Sequence, residues 1–108
     1  GGDDSVRMLP YIDFSIIKKN PKVFMGYSDT TISHLICLKA GLSSFYGPSV
    51  LAEFAENVAM HDYTAQWVEE VLFSSEVIGS IPPSNFWTSE YPPWLEENWW
   101  LPRSFGVC

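Results

Sequence analysis

The sequence predicts an α/β fold: part of an open, mostly parallel sheet with flanking helices, followed by a connector rich in proline and tryptophan. Helical and strand patterns alternate along residues 1–81, which is typical of such sheets. The run 22–27 is apolar almost throughout, as in a strand buried on both faces. With 108 residues, 46% of them hydrophobic, the chain is one small domain or a piece of a larger one.

The first predicted elements are a short helix and a buried strand. Asp13 is a favourable N-cap for a helix that begins at Phe14, and Pro21 would end that helix. The strand 22–27 follows directly. A helix and a strand in this order begin the alternation expected of an open sheet.

A second helix is predicted directly after this strand. Residues 28–31 are three hydroxyl residues and an acid, all favourable at a helix N-terminus. Ile32, Leu35 and Ile36 follow at helical spacing, and Gly41 stands where a helix commonly ends in the left-handed conformation. The strand–helix turn therefore falls at residues 26–30.

The remaining regular elements are a strand, a long helix and a further strand. Residues 42–46 make the strand, and Asp62 is placed to cap a helix that runs to about Ser75. Residues 76–81 are expected to form a short strand. We therefore expect residues 1–81 to be part of an α/β domain.

The tail 82–108 differs in composition, because it holds five of the eight prolines and four of the five tryptophans. Paired prolines interrupt regular structure, so we expect a connector or the loop-rich start of another domain. Both ends of the chain stop abruptly, which favours a piece of a longer protein. The tail tryptophans are Trp87, Trp94, Trp99 and Trp100.

Charge and cysteine content exclude several classes of function. Six Lys and Arg residues against thirteen Asp and Glu residues give a net charge of −7, which argues against nucleic acid polymers and anionic membranes as partners. No apolar run approaches a membrane span and no signal peptide opens the chain, so we expect a cytoplasmic protein. Cys37 and Cys108 are too few for a disulfide scaffold or a structural zinc site, and Cys37 is expected to be a reduced core residue.

The candidate chemistry concentrates at the turn Gly26–Thr30. A serine between a buried strand and a helix is typical of a nucleophile elbow, whose usual pattern is Gly-x-Ser-x-Gly. Here Thr30 replaces the second glycine. Ser28 is therefore either a nucleophile or a simple helix cap, and the turn alone leaves both interpretations open. If Ser28 is the nucleophile, the backbone N–H of Asp29 is one oxyanion donor.

The glycine pair at the start of the chain is a candidate for the second oxyanion donor, since glycine lets a backbone N–H approach a ligand closely. We favour Gly2, with Gly1 as the alternative. Asp3 and Asp4 lack companion ligands for a metal and are expected to be turn and cap residues.

The two histidines are poor candidates for a general base. His34 lies in the second turn of the helix that follows Ser28 and is expected to point elsewhere. His61 adjoins Asp62 near a helix start, where exposure to solvent is the ordinary state. A serine nucleophile needs a base that a third group orients, and the chain supplies no convincing one.

Several motifs occur in a recognisable order: GGDDSVRMLPYID at 1–13, NPKVFMGYSDTT at 20–31, GL at 41–42 and FYGP at 45–48. In this order they resemble the LD-carboxypeptidase family of serine peptidases, and the microcin C self-immunity branch more than the murein-recycling branch. The resemblance covers roughly residues 1–81, which it assigns to the family's nucleophile-bearing N-terminal domain, and it implies that 82–108 are a connector and the incomplete start of the C-terminal domain.

The resemblance implies a Ser–His–Glu triad with Ser28 as nucleophile and an oxyanion hole from the Asp29 amide and the Gly1-Gly2 loop. The glutamate and histidine would lie beyond Cys108, so the chain alone is expected to be inactive. The resemblance implies no metal or other cofactor, a cytoplasmic homodimer, and the second half of the family's N-terminal domain as the fold. The implied substrates carry an amide bond next to a free carboxyl end, either a murein LD-peptide or a microcin C-like aminoacyl-nucleotide.

A different class of function stays open beside the enzyme. The chain could be a non-catalytic ligand-binding or interaction module in which the tail tryptophans stack on a base or a sugar. The ordinary alternative is that these tryptophans pack within an interdomain connector or a dimer interface.

Overall fold

The computed structural model describes residues 2–90 and 101–108. They form two compact units that divide after Val50. The predicted fold class is confirmed, because a small parallel sheet and flanking helices make up the first unit. Trp94, Trp99 and Trp100 lie outside the described residues.

The sheet of the first unit pairs β1 (Met25–Gly26) with β2 (Phe45–Tyr46) in parallel, with Met25 opposite Phe45 and Gly26 opposite Tyr46. Both strands are shorter than the predicted runs 22–27 and 42–46. The parallel pairing requires a crossover, and the second helix of the unit supplies it.

The helices of the first unit are α1 (Phe14–Lys19) and α2 (Thr31–Ala40), with 3₁₀ turns at Ser5–Tyr11 and Ser28–Thr30. The 3₁₀ turn at Ser5–Tyr11 was not predicted. It contains Pro10, whose ring fixes φ at about −65°, a value that 3₁₀ turns share.

The ends of α1 and α2 confirm two sequence predictions. The Asp13 side chain accepts a hydrogen bond from the Ser15 N–H at 2.8 Å, as an N-cap should. Gly41 adopts a left-handed φ of 81°, and the Leu42 N–H reaches back to the Cys37 carbonyl at 2.9 Å. Glycine is favoured here because a Cβ strains this conformation.

Among the described residues, the buried apolar side chains are Ile36 and Ala40, both on α2. Cys37, beside them, is free and half-buried. The core of the first unit is thus small and centred on the helix that follows the strand–helix turn.

The second unit contains α3 (Asp62–Phe73) and an antiparallel pair formed by β3 (Phe86–Trp87) and β4 (Gly106–Val107). A π-helical turn at Val50–Phe54 leads into it. The predicted cap of α3 was wrong by one residue, since His61 is the N-cap and Asp62 is the first helical residue.

The predicted strand at 76–81 was also wrong, because these described residues form no strand. Residues 82–108, which were expected to be a connector and the start of another domain, hold β3 and β4. None of the helices in residues 2–90 and 101–108 is both long and apolar enough to cross a lipid bilayer.

Candidate active site

The strand–helix turn of the first unit holds Ser28 in an uncommon backbone conformation. β1 ends at Gly26, and Ser28 opens the 3₁₀ turn that leads into α2. Its φ is +65°, in the left-handed region that residues with a Cβ seldom occupy. Such strain persists where the surroundings enforce it, and it clusters at active sites.

Ser28 does not cap either helical segment. The N-cap of the 3₁₀ turn is Tyr27 and the N-cap of α2 is Thr30, and neither position shows a side-chain capping bond. Ser28 is exposed. Within residues 2–90 and 101–108, no hydrogen bond holds its hydroxyl, so the Oγ atom is open to solvent and to a ligand.

Three side chains fix the backbone around Ser28. The Ser28 N–H donates to Tyr46 Oη at 3.3 Å, and the Thr31 hydroxyl donates to the Ser28 carbonyl at 2.6 Å. The Thr30 hydroxyl donates to the Tyr27 carbonyl at 2.7 Å. These hydrogen bonds engage one N–H and two carbonyl groups of the turn and so restrain its backbone.

Tyr46 connects β2 to this turn. A hydrogen bond with the Thr31 side chain, and then the Ser28 N–H, lower the pKa of the Tyr46 phenol, because both bonds favour the charged oxygen. Tyr46 belongs to the FYGP motif, but the sequence predicted no role for it at the site. Its contact to Ser28 spans 18 residues, and no local pattern predicts such a contact.

The structure brings the start of the chain to the same turn. Gly2 has a φ of +143°, and a Cβ added there would lie 3.3 Å from Asp29 Oδ2. The Ser5 N–H donates to Asp29 Oδ1 at 3.1 Å, and the Ser5 hydroxyl donates to Asp29 Oδ2. Gly2, Ser5 and Asp29 are therefore neighbours, whereas Gly1 lies outside the described residues.

The Asp29 amide lies in the first turn of a helical segment, where N–H groups have no intrahelical acceptor. Such groups carry the positive end of the helix dipole and favour an anion. Of the two amides named from the sequence, that of Asp29 directly follows Ser28 in the chain, and Gly2 lies against the Asp29 carboxylate. This position of Gly2 could not be derived from the sequence.

His34 is fully engaged in the packing of the first unit. Its Nε2–H donates to the Gly26 carbonyl at 3.0 Å, so in the neutral ring Nδ1 accepts from the Ser44 hydroxyl at 2.8 Å. The ring also lies edge-on to Phe24, with centroids 4.9 Å apart. His34 therefore links α2 to β1 and to the residue before β2. Because both ring nitrogens are engaged, His34 is a poor general base, as the sequence predicts.

The acidic residues at the start of the chain lie at the surface. Asp4 is the N-cap of the first 3₁₀ turn and pairs with the exposed side chain of Arg7 at 3.0 Å. Asp3 is exposed. Both positions fit the predicted turn and cap roles.

The second unit has an aromatic cleft of about 840 Å³. His61 lies at this cleft and packs edge-on against Phe105, with ring centroids 4.6 Å apart. Trp87 is half-exposed there, with 54% of its surface accessible. The aromatic residues that line the cleft are Tyr63, Trp67, Phe86, Trp87 and Phe105.

A buried carboxylate lies next to this cleft. The side chain of Glu56 is 6% exposed, and its oxygens lie 3.0 Å from Arg103 Nε and 3.3 Å from His61 Nε2. Neither nitrogen forms a hydrogen bond within the described residues, so the Glu56–Arg103 contact is an ion pair held mainly by charge. The Asn57 N–H completes the group with a bond of 2.8 Å to Glu56. Nothing in the sequence had pointed to Glu56.

Comparison with known proteins places these features in context. The sequence profile of the LD-carboxypeptidase N-terminal domain matches residues 1–47. The microcin C7 self-immunity protein MccF of Escherichia coli is 34% identical over 95% of this chain and 30% of its own length. A protein of Bacillus subtilis named as a probable murein peptide carboxypeptidase is 49% identical over 44% of this chain and 15% of its own length.

A solved structure shares the fold. The crystal structure of an MccF-like protein from Streptococcus pneumoniae in complex with AMP matches 99% of this chain with a TM-score of 0.80 and 32% identity, over 32% of its own length. The chain thus spans less than a third of the length of each of these relatives.

Proposed function

Because residues 1–47 of the chain belong to the LD-carboxypeptidase N-terminal domain family, we propose that Ser28 is the nucleophile of a serine carboxypeptidase. The enzyme is the longer protein that contains this chain, called the parent protein below. It hydrolyses an amide bond next to a free carboxyl end. The coarser conclusion, that the chain comes from a family of peptidases, rests on the comparisons alone.

The observation that carries the proposal is the φ of +65° at Ser28, combined with a hydroxyl that no described residue holds. A helix cap would use its oxygen to accept an amide of the first turn. A nucleophile elbow instead projects its oxygen from a strained turn between a strand and a helix. The geometry of Ser28 supports the second role.

The proposed reaction is acyl transfer to Ser28. A general base takes the Oγ proton while Oγ attacks the amide carbonyl carbon, and the negative charge develops on the carbonyl oxygen. The amides of Asp29 and Gly2 donate to that oxygen. The C–N bond then breaks as the proton passes to the leaving nitrogen, and water hydrolyses the serine ester.

The general base and its orienting carboxylate are proposed to be a histidine and a glutamate of the parent protein beyond Cys108. His34 does not serve, since both of its ring nitrogens are engaged with Gly26 and Ser44. The chain alone is therefore expected to show only residual hydrolysis, because an unassisted serine hydroxyl is a weak nucleophile.

Two substrates fit the proposed bond, a microcin C-like aminoacyl-nucleotide and a murein LD-peptide. One relative is named for self-immunity to microcin C7, and the solved relative was crystallised with AMP. Another relative is named for murein peptides. Turnover of an aminoacyl-sulfamoyl adenosine and of an LD-tetrapeptide by the parent protein distinguishes the two.

The experiment that tests the nucleophile is Ser28→Ala in the parent protein. We expect kcat to fall by about 10³-fold or more, as when a triad member is removed, with an unchanged circular dichroism spectrum. A serine-directed fluorophosphonate should label the wild-type protein on Ser28 and leave the variant unlabelled. The matched control is Ser43→Ala, the same change at an exposed serine of the same unit, which should leave kcat unchanged. Full activity of Ser28→Ala would move the nucleophile elsewhere.

The aromatic cleft of the second unit supports a second candidate function, the binding of a base or sugar by stacking. Trp87 presents a half-exposed indole at the cleft, and Trp67 lines it as well. Titration of the parent protein with AMP should quench tryptophan fluorescence, and Trp87→Phe should remove part of that change. Identical titrations of wild type and Trp87→Phe would take Trp87 out of this role.

The resemblance also implies that the parent protein is a cytoplasmic homodimer, and we retain both as proposals. Sedimentation equilibrium of the parent protein measures the oligomeric state directly. Neither proposal is needed for the role of Ser28.

A further inference from the structure

We propose that Asp29 is a positioning residue: its side chain fastens the loop of residues 2–5 to the strand–helix turn and so fixes the Gly2 amide, the proposed second oxyanion donor. This inference rests on the proposed function and deepens it. It assigns to the Asp29 carboxylate a task separate from that of the Asp29 backbone amide.

The contacts form a two-point clamp between distant parts of the chain. Asp29 Oδ1 accepts the Ser5 N–H at 3.1 Å, and Oδ2 accepts the Ser5 hydroxyl, across 24 residues of sequence. Hydrogen bonds to an ionised acceptor are stronger than neutral ones, and these are partly buried. Both carboxylate oxygens are thereby directed to Ser5.

Gly2 shows how tightly the loop lies on this carboxylate. A Cβ at position 2 would lie 3.3 Å from Asp29 Oδ2, and the φ of +143° is one that L side chains rarely adopt. The loop therefore combines a glycine conformation with a close approach to Asp29. The Asp29 side chain therefore sets the position of the loop backbone that lies against it.

This arrangement has a chemical consequence at the elbow. The two proposed oxyanion donors belong to separate segments, and one short side chain joins those segments. Donors act on a transition state only where they are already in place, because reorganising them during the reaction costs what they would contribute. A displacement of about 1 Å at such a site can lower a rate a hundredfold.

The hydrogen bonds from Ser5 also compensate the negative charge of the Asp29 carboxylate. An unpaired carboxylate near a developing oxyanion would destabilise it, since like charges repel. The two Ser5 donors occupy the carboxylate oxygens and so reduce that effect. Losing Ser5 should therefore affect the reaction through Asp29.

The test compares variants of the parent protein by kcat and KM. Asp29→Ala should lower kcat by about tenfold to 10³-fold with little change in KM, because an oxyanion donor acts in the transition state. Asp29→Asn should restore most of this activity, since its amide can still accept the Ser5 N–H and can donate to the Ser5 hydroxyl. A residue needed only for folding would show a loss of protein stability instead of this kcat-specific pattern.

Ser5→Ala provides the second arm of the test. It removes one of the two bonds and should lower kcat less than Asp29→Ala does. If the carboxylate acts through Ser5, the double variant should be no slower than Asp29→Ala alone, because the two changes break one connection. The matched control is Asp4→Asn, which alters an exposed acid in the same segment and should leave kcat unchanged.

Hydrogen exchange gives a readout that does not depend on turnover. The Ser5 amide should exchange faster in Asp29→Ala than in wild type or Asp4→Asn. If Asp29→Ala has the kcat of the wild type and the same exchange rate at the Ser5 amide, the positioning role of Asp29 is wrong, even if Ser28→Ala abolishes activity. Activity of Ser28→Ala would instead overturn the proposed function, so the two failures are distinguishable.

Discussion

The backbone of Ser28 is held by side chains from three different segments. Its N–H meets the Tyr46 hydroxyl, its carbonyl meets the Thr31 hydroxyl, and the residue after it is fastened to Ser5. A positive φ at a residue with a Cβ costs free energy, so it survives only where the surroundings leave no easier conformation. Tertiary contacts therefore enforce a conformation of the turn that the local sequence alone would not maintain.

Gly26 is the residue at which this turn has the least room. A Cβ there would lie 2.9 Å from Thr30 Oγ1, a distance that real Cβ atoms essentially never show. The Thr30 hydroxyl is itself bonded to the Tyr27 carbonyl, so moving it away breaks that bond. The first residue of the Gly-x-Ser pattern is thus required by packing against the helix that follows.

We predict that Gly26→Ala destabilises the parent protein by about 1–3 kcal/mol, the usual cost of overpacking. The measurement is the free energy of unfolding in urea. Gly47→Ala is the matched control in the neighbouring strand region, because its Cβ would meet Met25 Sδ at an ordinary 3.5 Å. Equal stabilities of the two variants would show that Thr30 yields without cost.

At the scale of single elements, α1 depends on its N-cap. Donation from Ser15, by its side chain first and its backbone second, lowers the pKa of Asp13 below the ordinary value of 3.8. The folded-state pKa is then below the unfolded one. The resulting stability is fully present above the unfolded pKa and is lost as the pH falls through the folded one.

We predict that Asp13→Ala destabilises the protein at pH 7 and that the difference from wild type shrinks as the pH falls below 3.8. Urea unfolding at a series of pH values measures this. Asp13→Asn is the control, because asparagine caps as well as aspartate but carries no charge, and its stability should not follow this titration. A difference that stays constant down to low pH would contradict the assignment.

Features that depend on contacts between residues close in sequence were predicted correctly, whereas features that depend on distant contacts were not. Asp13 and Gly41 were predicted correctly because a cap bonds to residues two to five positions away. The strand at 76–81 was wrong because Val77 and Ile78 have strand propensity, while a strand needs a partner that propensity does not supply. The pairing of β3 with β4 in residues 82–108 joins positions about 20 residues apart, and the composition of that segment did not predict it.

The same distinction applies to the candidate site. Ser28 and the Asp29 amide follow from a local pattern, a serine between a strand and a helix. Ser5 and Tyr46 could not be derived, because they reach the turn across 24 and 18 residues. The glycine pair and the family resemblance both indicated Gly2, whereas its contact with Asp29 became visible only in the fold.

At the scale of the whole molecule, the described residues bury little apolar surface. Ile36 and Ala40 are the buried apolar residues in residues 2–90 and 101–108, and both lie in the first unit. Large apolar side chains are exposed in both units, among them Leu38 at 71%, Phe73 at 81% and Val77 at 96%. Burial of such surface is the main source of folding free energy, so we expect the described residues to contribute little stability without the rest of the parent protein.

We predict that the isolated 108-residue chain binds the dye anilinonaphthalene sulfonate strongly and unfolds in urea over a broad range, because it exposes apolar surface in its folded form. The parent protein should bind little dye and unfold cooperatively, since these surfaces are expected to be covered there. Dye fluorescence and the slope of urea unfolding measure the two properties. A sharp transition of the chain, with a slope of about 1–3 kcal/mol per molar urea and no dye binding, would show that the small α2 core suffices. In that case the Ser28 turn could be studied in the chain itself, without the rest of the enzyme.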